Sequence, residues 1–224
     1  MNLKIRAISL TCLICMALCA QAQDTEYFIP KPREVPVTEL PAEVSYKGKF
    51  LGCTAWTDKL GENFLVTSQS AVHEEEQMDA PISSKELYAK HYVRKDGGTS
   101  VLWQLYDFLK DGYCGQFTVD YLCKPYINDL DHDGICETWL VYQLGCRSDW
   151  GTPPLTMKII MHNGARKSAI RGTRDVLYPS PSYIPSYVGS HQADANFKAL
   201  HEDVQTFGMI LWNKFRVEEL EKVE

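Results

Sequence analysis

Four carboxylates lie within nine positions of one short segment, residues 128–137, which we call the acidic loop. Its sequence is NDLDHDGICE, so three aspartates alternate with other residues, a glycine follows, and a glutamate comes three residues later. Like charges this close repel one another unless a cation gathers them or water screens them. A hard cation such as Ca²⁺ takes six to eight oxygen ligands and accepts flexible geometry. The spacing therefore predicts a Ca²⁺ site.

We predict five ligands for this site. One is the backbone carbonyl of Ile135, and the others are the carboxylates of Asp129, Asp131, Asp133 and Glu137. An EF-hand loop needs a bidentate Glu at its twelfth position, where this chain has Leu140. The loop resembles instead the strand–loop–strand calcium loops of integrin-type β-propeller repeats, in which the acid falls at the ninth position, as Glu137 does. The alternative is a polar turn whose acids face water. We favour the metal site, as a structural clip between two strands rather than a catalytic centre.

The segments around the acidic loop have the alternation of β-strands. Residues 116–121 alternate polar and apolar side chains, which is typical of a half-buried strand, and residues 138–142 are apolar on both faces, as in a central strand. Turns at Asp96-Gly97 and at Asn163-Gly164 predict hairpins. Because hairpins follow one another without intervening helices, the pattern indicates an α+β fold that is mainly an antiparallel β meander.

The hydrophobic period changes near the end of the chain. From residue 194 onward, apolar side chains recur at steps of three and four, and Asp194 is suited to cap a helix. We therefore predict one long amphipathic helix over residues 194–222, packed on the sheet.

The first 22 residues have the features of a secretory signal peptide: Lys4 and Arg6, then an apolar run, then an A-x-A cleavage site at 20–22. Cys19 leaves lipidation open. Residues 23–45 are rich in proline and predict an extended arm, and residues 46–224 form the expected single β-rich domain. The location predicted is the periplasm or cell surface of a Gram-negative bacterium, with no transmembrane segment once the signal is removed.

Five of the eight cysteines remain after the predicted cleavage. An exported protein can form disulfides, and an odd count leaves at least one thiol free or paired between chains. Cys114 and Cys146 are the candidate pair, because a bond between them closes the ends of the segment that carries the acidic loop. The alternative, which the sequence leaves open, is that several of the cysteines are small buried apolar residues.

The net charge of −6 and the lack of a run dense in Lys and Arg argue against a nucleic-acid partner. Basic residues do follow the acidic loop, and they have two interpretations: a surface for an acidic glycan or phosphate, or ordinary solvated strand positions, which we favour. The candidate contacts for a glycan or anion are Arg147, Trp150 and Arg171.

From residue 102 to 212 the chain resembles a family of small exported proteins of Gram-negative bacteria that carries the label "surface polysaccharide biosynthesis protein". The matching motifs are the acidic loop with residue 127, then Trp139 and Tyr142, then residues 146–149, 157–161, 169–172 and 196–212. The chain departs from the family at Cys136 and at residues 150–152. The resemblance implies a link to surface polysaccharide and brings no catalytic residues with it.

Three functions follow as hypotheses. The first is a non-enzymatic exported domain that binds one structural Ca²⁺ and serves surface polysaccharide biosynthesis or display, with surface glycans or envelope proteins as partners. The second is a glycan-active enzyme, which would need two carboxylates flanking a cleft. The third is a periplasmic module that binds a partner through the proline-rich arm.

Overall fold

The structure is a computed structural model, and it describes residues 29–76, 81–112, 114, 116–147, 153–177 and 187–219. The predicted signal peptide and Trp150 lie outside these residues. Within them the chain is mostly antiparallel β-sheet, which confirms the β-rich prediction.

Two six-stranded sheets carry most of the fold. The strands of the first sheet are β1 (Arg33–Glu34), β2 (Lys49–Asp58), β3 (Gly61–Gln69), β4 (His73–Glu75), β5 (Ile82–Lys95) and β6 (Gly98–Gly112). The strands of the second sheet are β7 (Gln116–Tyr121), β8 (Tyr126–Asn128), β9 (Glu137–Arg147), β10 (Thr156–Asn163), β11 (Arg166–Thr173) and β13 (His191–Ala193). A short parallel pair joins β12 (Asp175–Leu177) to β14 (Val217–Glu219).

The two sheets face each other across a shared core. Buried residues of the first sheet, such as Leu65 and Leu87, belong to the same cluster as Leu140 and Tyr142 of the second sheet. Strand β9 is buried on both faces, because Trp139 and Val141 point to a different cluster. The continuous apolar run of β9 is thus explained by its position between two cores.

The predicted arm contributes to a third cluster, on the outer face of the first sheet. Strand β1 pairs with β2, a 3-10 turn follows at Val37–Glu39, and Val35 and Val44 are buried beside Phe64. Residues 29–45 therefore cover the core instead of extending away from it.

The prediction of one helix over 194–222 is wrong. The structure has two helices, α1 (Ala195–Lys198) and α2 (Glu202–Phe215). The chain breaks between them because His201 starts a new helix: its side chain accepts a hydrogen bond from the backbone N–H of Asp203, and acids in the first turn suit the helix dipole. Beyond Phe215, residues 217–219 pair with β12 as a strand. Asp194 does cap α1, accepting from the N–H of Phe197 at 2.8 Å.

Both helices contribute to the cluster on the outer face of the second sheet. Phe197, Val204, Leu211 and Trp212 are buried in the same cluster as Trp139, and the rings of Trp139 and Phe207 are 5.2 Å apart. Among the described residues, the structure shows no helix with the length and hydropathy needed to cross a membrane.

Candidate metal centre

The acidic loop connects β8 to β9, which pair in antiparallel register with Asn128 opposite Glu137. The chain reverses through two residues with left-handed backbone, His132 (φ 58°) and Gly134 (φ 81°). Glycine takes such a φ without steric cost, and a Cβ at position 134 would also meet the side chain of Lys59. The left-handed backbone thus favours the glycine that the sequence places after the third aspartate, and a Cβ there would also displace the flexible end of the Lys59 side chain.

The turn brings three carboxylates together. One oxygen each from Asp129, Asp131 and Glu137 lie within 4.8 Å of one another, which is close enough for this triad to hold a metal ion. Asp129 and Glu137 are 6% and 0% exposed, and Asp131 is half-buried. We call these three residues the acidic triad.

Each buried carboxylate has one oxygen fixed by the loop and one without a protein partner. Oδ2 of Asp129 accepts from the N–H of Gly134 at 3.1 Å, and Oε2 of Glu137 accepts from the N–H of Leu130 at 2.9 Å. The other oxygens, Asp129 Oδ1 and Glu137 Oε1, are buried and accept no hydrogen bond from the residues that the structure describes. Such atoms are uncommon in folded proteins and call for an explanation.

Burial also dominates the electrostatics of the triad. It raises the pKa of Glu137, and the carboxylates of Asp131 and Asp129 add to that rise. It raises the pKa of Asp129 in the same way, with Asp133 and Asp131 as further causes. Without a counter-charge the ionised triad is therefore costly, and a divalent cation would remove that cost.

The fourth predicted acid does not join the triad. Oδ1 of Asp133 accepts from the N–H of Ile135 at 2.7 Å, and its other oxygen accepts from Asn163 at 3.4 Å. Asp133 is exposed, whereas Ile135 is half-buried beside it. Asp133 thus shapes the turn, and the carbonyl of Ile135 as a ligand stays a prediction.

Asn163 is a contact of the site that the sequence analysis missed. Its Nδ2 donates to Oδ2 of Asp131 at 3.0 Å, and β-pairing places it opposite Glu137. The signal was present in the sequence, because Asn163 begins the Asn-Gly turn that predicts the β10–β11 hairpin. What the sequence did not reveal is that this hairpin ends beside the acidic loop.

The turn between β2 and β3 also supports the loop. The backbone N–H of Lys59 donates to the carbonyl of Gly134 at 2.9 Å, and its side-chain ammonium donates to the carbonyl of Asp133. Asp58 accepts from the N–H of Cys136 at 3.1 Å. The loop therefore connects the two sheets as well as two strands of one sheet.

The remaining predicted site residues lie elsewhere. Arg147 pairs with Glu218, and both side chains are largely buried. The side chain of Arg171 is 46% exposed and lies 3.9 Å from a carboxylate oxygen of Asp194. Glycan contact by these arginines stays a prediction. The Cys114–Cys146 disulfide is confirmed, with 5.4 Å between the two Cα atoms.

No protein-family model, no curated protein and no solved structure matches this chain.

Proposed function

We propose that this protein is an exported, non-enzymatic β domain that binds one Ca²⁺ at the acidic triad and serves surface polysaccharide biosynthesis or display. The observation that carries the calcium proposal is the pair of buried carboxylate oxygens, Asp129 Oδ1 and Glu137 Oε1, which have no hydrogen-bond partner in the described part of the chain. A cation held between them would compensate both charges at once.

The donor set favours Ca²⁺ over other ions. The triad offers carboxylate oxygens alone, which hard cations prefer to the nitrogen and sulfur ligands of Zn²⁺. Mg²⁺ demands a near-ideal octahedron and keeps several waters, whereas Ca²⁺ accepts the irregular geometry of a turn. The Ile135 carbonyl and water would supply further ligands.

A structural role follows from what the loop touches. The triad lies in a connection that is hydrogen-bonded to the β2–β3 turn at Lys59 and to Asn163 at the end of β10. An ion at the triad would therefore hold three chain segments together, and it would stabilise the native state by mass action.

Export and the link to surface polysaccharide have separate support. The signal-peptide pattern of residues 1–22 and the Cys114–Cys146 disulfide favour an oxidising compartment. The link to polysaccharide depends on the motif resemblance between residues 102 and 212.

Calorimetric titration of the mature chain with CaCl₂, after treatment with EGTA, tests the calcium proposal. We expect binding at one site, and loss of that heat in Asp131→Asn and Glu137→Gln. Asp111→Asn is the matched control, because Asp111 is an exposed carboxylate on β6. Absence of both heat and thermal shift in the wild-type protein would overturn the proposal.

A further inference from the structure

A cleft of about 490 Å³ adjoins the acidic loop. It lies between the loop, the end of the β10–β11 hairpin and the segment that connects α1 to α2. Its volume is within the usual range of small-molecule sites, roughly 300–1,000 Å³.

The acidic triad and the cleft share Asp131. Asp131 lines the cleft, whereas the buried Asp129 and Glu137 do not. An ion bound by the triad would therefore be covered by protein on the side of Asp129 and Glu137. On the side of Asp131 it would be accessible from the cleft. Three carboxylates also supply fewer oxygens than the six to eight that Ca²⁺ takes, so positions remain for an external ligand.

Two cations line the same cleft. Arg166 and Lys167 are exposed at the start of β11. Neither forms a salt bridge within the part of the chain that the structure describes. This differs from Arg147 and Arg174, which both approach the carboxylate of Glu218.

Asp131 and Asp133 line the cleft as well, but among the described residues neither forms an ion pair with Arg166 or Lys167. An anion in the cleft would give these two cations such a partner.

We propose that this cleft binds a carboxylate-bearing sugar, such as a uronic acid unit of an acidic polysaccharide. Oxygens of the sugar complete the coordination of the Ca²⁺, and its carboxylate pairs with Arg166 and Lys167. Asn196, which also lines the cleft, donates its Nδ2 to the carbonyl of Lys167 at 3.0 Å, and its Oδ1 would accept a hydrogen bond from a sugar hydroxyl. The proposal rests on the calcium site proposed above, and it assigns a ligand to the open side of that site.

Titration with digalacturonate, a probe of two uronic acid units, tests the proposal. We expect binding in CaCl₂ and none in EGTA. The double variant Arg166→Gln/Lys167→Gln should bind digalacturonate about tenfold more weakly or worse, since it loses charge-assisted hydrogen bonds, while its calcium titration stays that of the wild type. The control is Lys49→Gln, an exposed lysine on β2 that should change neither titration.

The outcomes separate the two proposals. Calcium binding with no digalacturonate binding, or digalacturonate binding that the double variant leaves unchanged, overturns the ligand proposal and leaves the calcium site intact. Binding of inorganic phosphate in place of digalacturonate overturns the sugar as the ligand class. Absence of calcium binding overturns the calcium site itself, and the ligand proposal with it.

Discussion

A side-chain oxygen of Asp58 accepts a hydrogen bond from the backbone N–H of Cys136 at 3.1 Å, and this bond joins the first sheet to the acidic loop. The same carboxylate accepts three further bonds, from the indole N–H of Trp56, the backbone N–H of Leu60 and the amide of Asn63. One aspartate thus organises the β2–β3 turn and anchors the loop 78 residues further along the chain.

Replacement of this carboxylate should therefore lower the free energy of unfolding. Asp58→Asn replaces one acceptor oxygen by an NH₂ donor, although these four hydrogen bonds all come from N–H donors. Leaving such donors unpaired costs about 2 kcal/mol. We expect Asp58→Asn to lower the free energy of unfolding by about that amount in urea titrations, with Asp111→Asn within about 0.5 kcal/mol of the wild type. Equal stability of the two variants would show that Asp58 does not hold the loop.

The contact between Asp58 and Cys136 also shows which features of the site can be predicted from the sequence and which cannot. Alternating acids followed by glycine identify the acidic loop, because local spacing decides which side chains a tight turn brings together. Asp58, Lys59 and Asn163 carry no sequence signal that connects them to this loop, although Asn163 does begin a predicted Asn-Gly turn. They reach the loop through the packing of distant hairpins, and one sequence does not reveal how those hairpins are arranged.

Asp133 shows a second limit. Alternation predicts it as a ligand equal to Asp129 and Asp131. Its carboxylate accepts from the N–H of Ile135, just as that of Asp131 accepts from the N–H of Asp133, but only Asp131 lies within 4.8 Å of the other triad oxygens. Short aspartate side chains often bond the backbone two residues on, and spacing alone does not separate that role from metal ligation. The helix break has a similar cause: the apolar period runs on through residues 199–201, while the capping side chain of His201 begins a new helix.

The disulfide should contribute measurably to stability. Cys114 and Cys146 are 32 residues apart, and closing a loop of that length stabilises the native state by about 3–4 kcal/mol in the chain-entropy model. We expect the double variant Cys114→Ser/Cys146→Ser to lose about that free energy of unfolding. Reduction of the wild-type protein should give the same loss, and a reductant should leave the double variant unchanged.

Two buried histidines should make the protein sensitive to acid. His91 on β5 and His162 on β10 flank the indole of Trp103, with ring centroids 5.3 Å and 3.9 Å from it. Nδ1 of each is buried, with no hydrogen-bond partner among the residues described by the structure. Burial lowers the pKa of His91 to about 4, which Asp58 partly opposes. Burial lowers the pKa of His162 to about 3, and Lys167 and His91 add to that shift.

The sign of the pH effect follows from these shifts. The unfolded chain protonates its histidines near pH 6.5, whereas the folded protein keeps both neutral to a lower pH. The free energy of unfolding is therefore undiminished by these histidines above pH 6.5. It decreases as the pH falls toward 4, because the unfolded chain gains the protons first. By pH 4.5 each histidine should reduce the free energy of unfolding by about 2.6 kcal/mol.

A variant isolates the contribution of His162. His162→Phe keeps an aromatic ring against Trp103 and removes the titration, so its urea midpoint should fall less between pH 7 and 4.5 than that of the wild type. His73→Phe, at an exposed position on β4, should keep the wild-type pH dependence. Identical pH dependence in all three proteins would exclude His162 as a source of the acid sensitivity.

The proposed calcium site predicts that the order of stability of the wild type and Glu137→Gln reverses between EGTA and Ca²⁺. In EGTA burial disfavours the ionised form of Glu137, whose pKa it raises, so the uncharged Glu137→Gln should be at least as stable as the wild type. At a free Ca²⁺ concentration 100 times the dissociation constant, the wild type should gain about 2.7 kcal/mol and become the more stable protein. A Glu137→Gln variant that is less stable than the wild type by the same amount in both conditions would show that Glu137 acts only through packing.

The most direct measurement of the central claim is a crystal structure of residues 23–224 grown with CaCl₂, with anomalous diffraction to identify the ion. We predict one Ca²⁺ bound by Asp129, Asp131 and Glu137 at about 2.3–2.6 Å, with Asp129 Oδ1 and Glu137 Oε1 among its ligands. A triad without anomalous density, whose two buried oxygens are satisfied by water or by protonation, would contradict the claim.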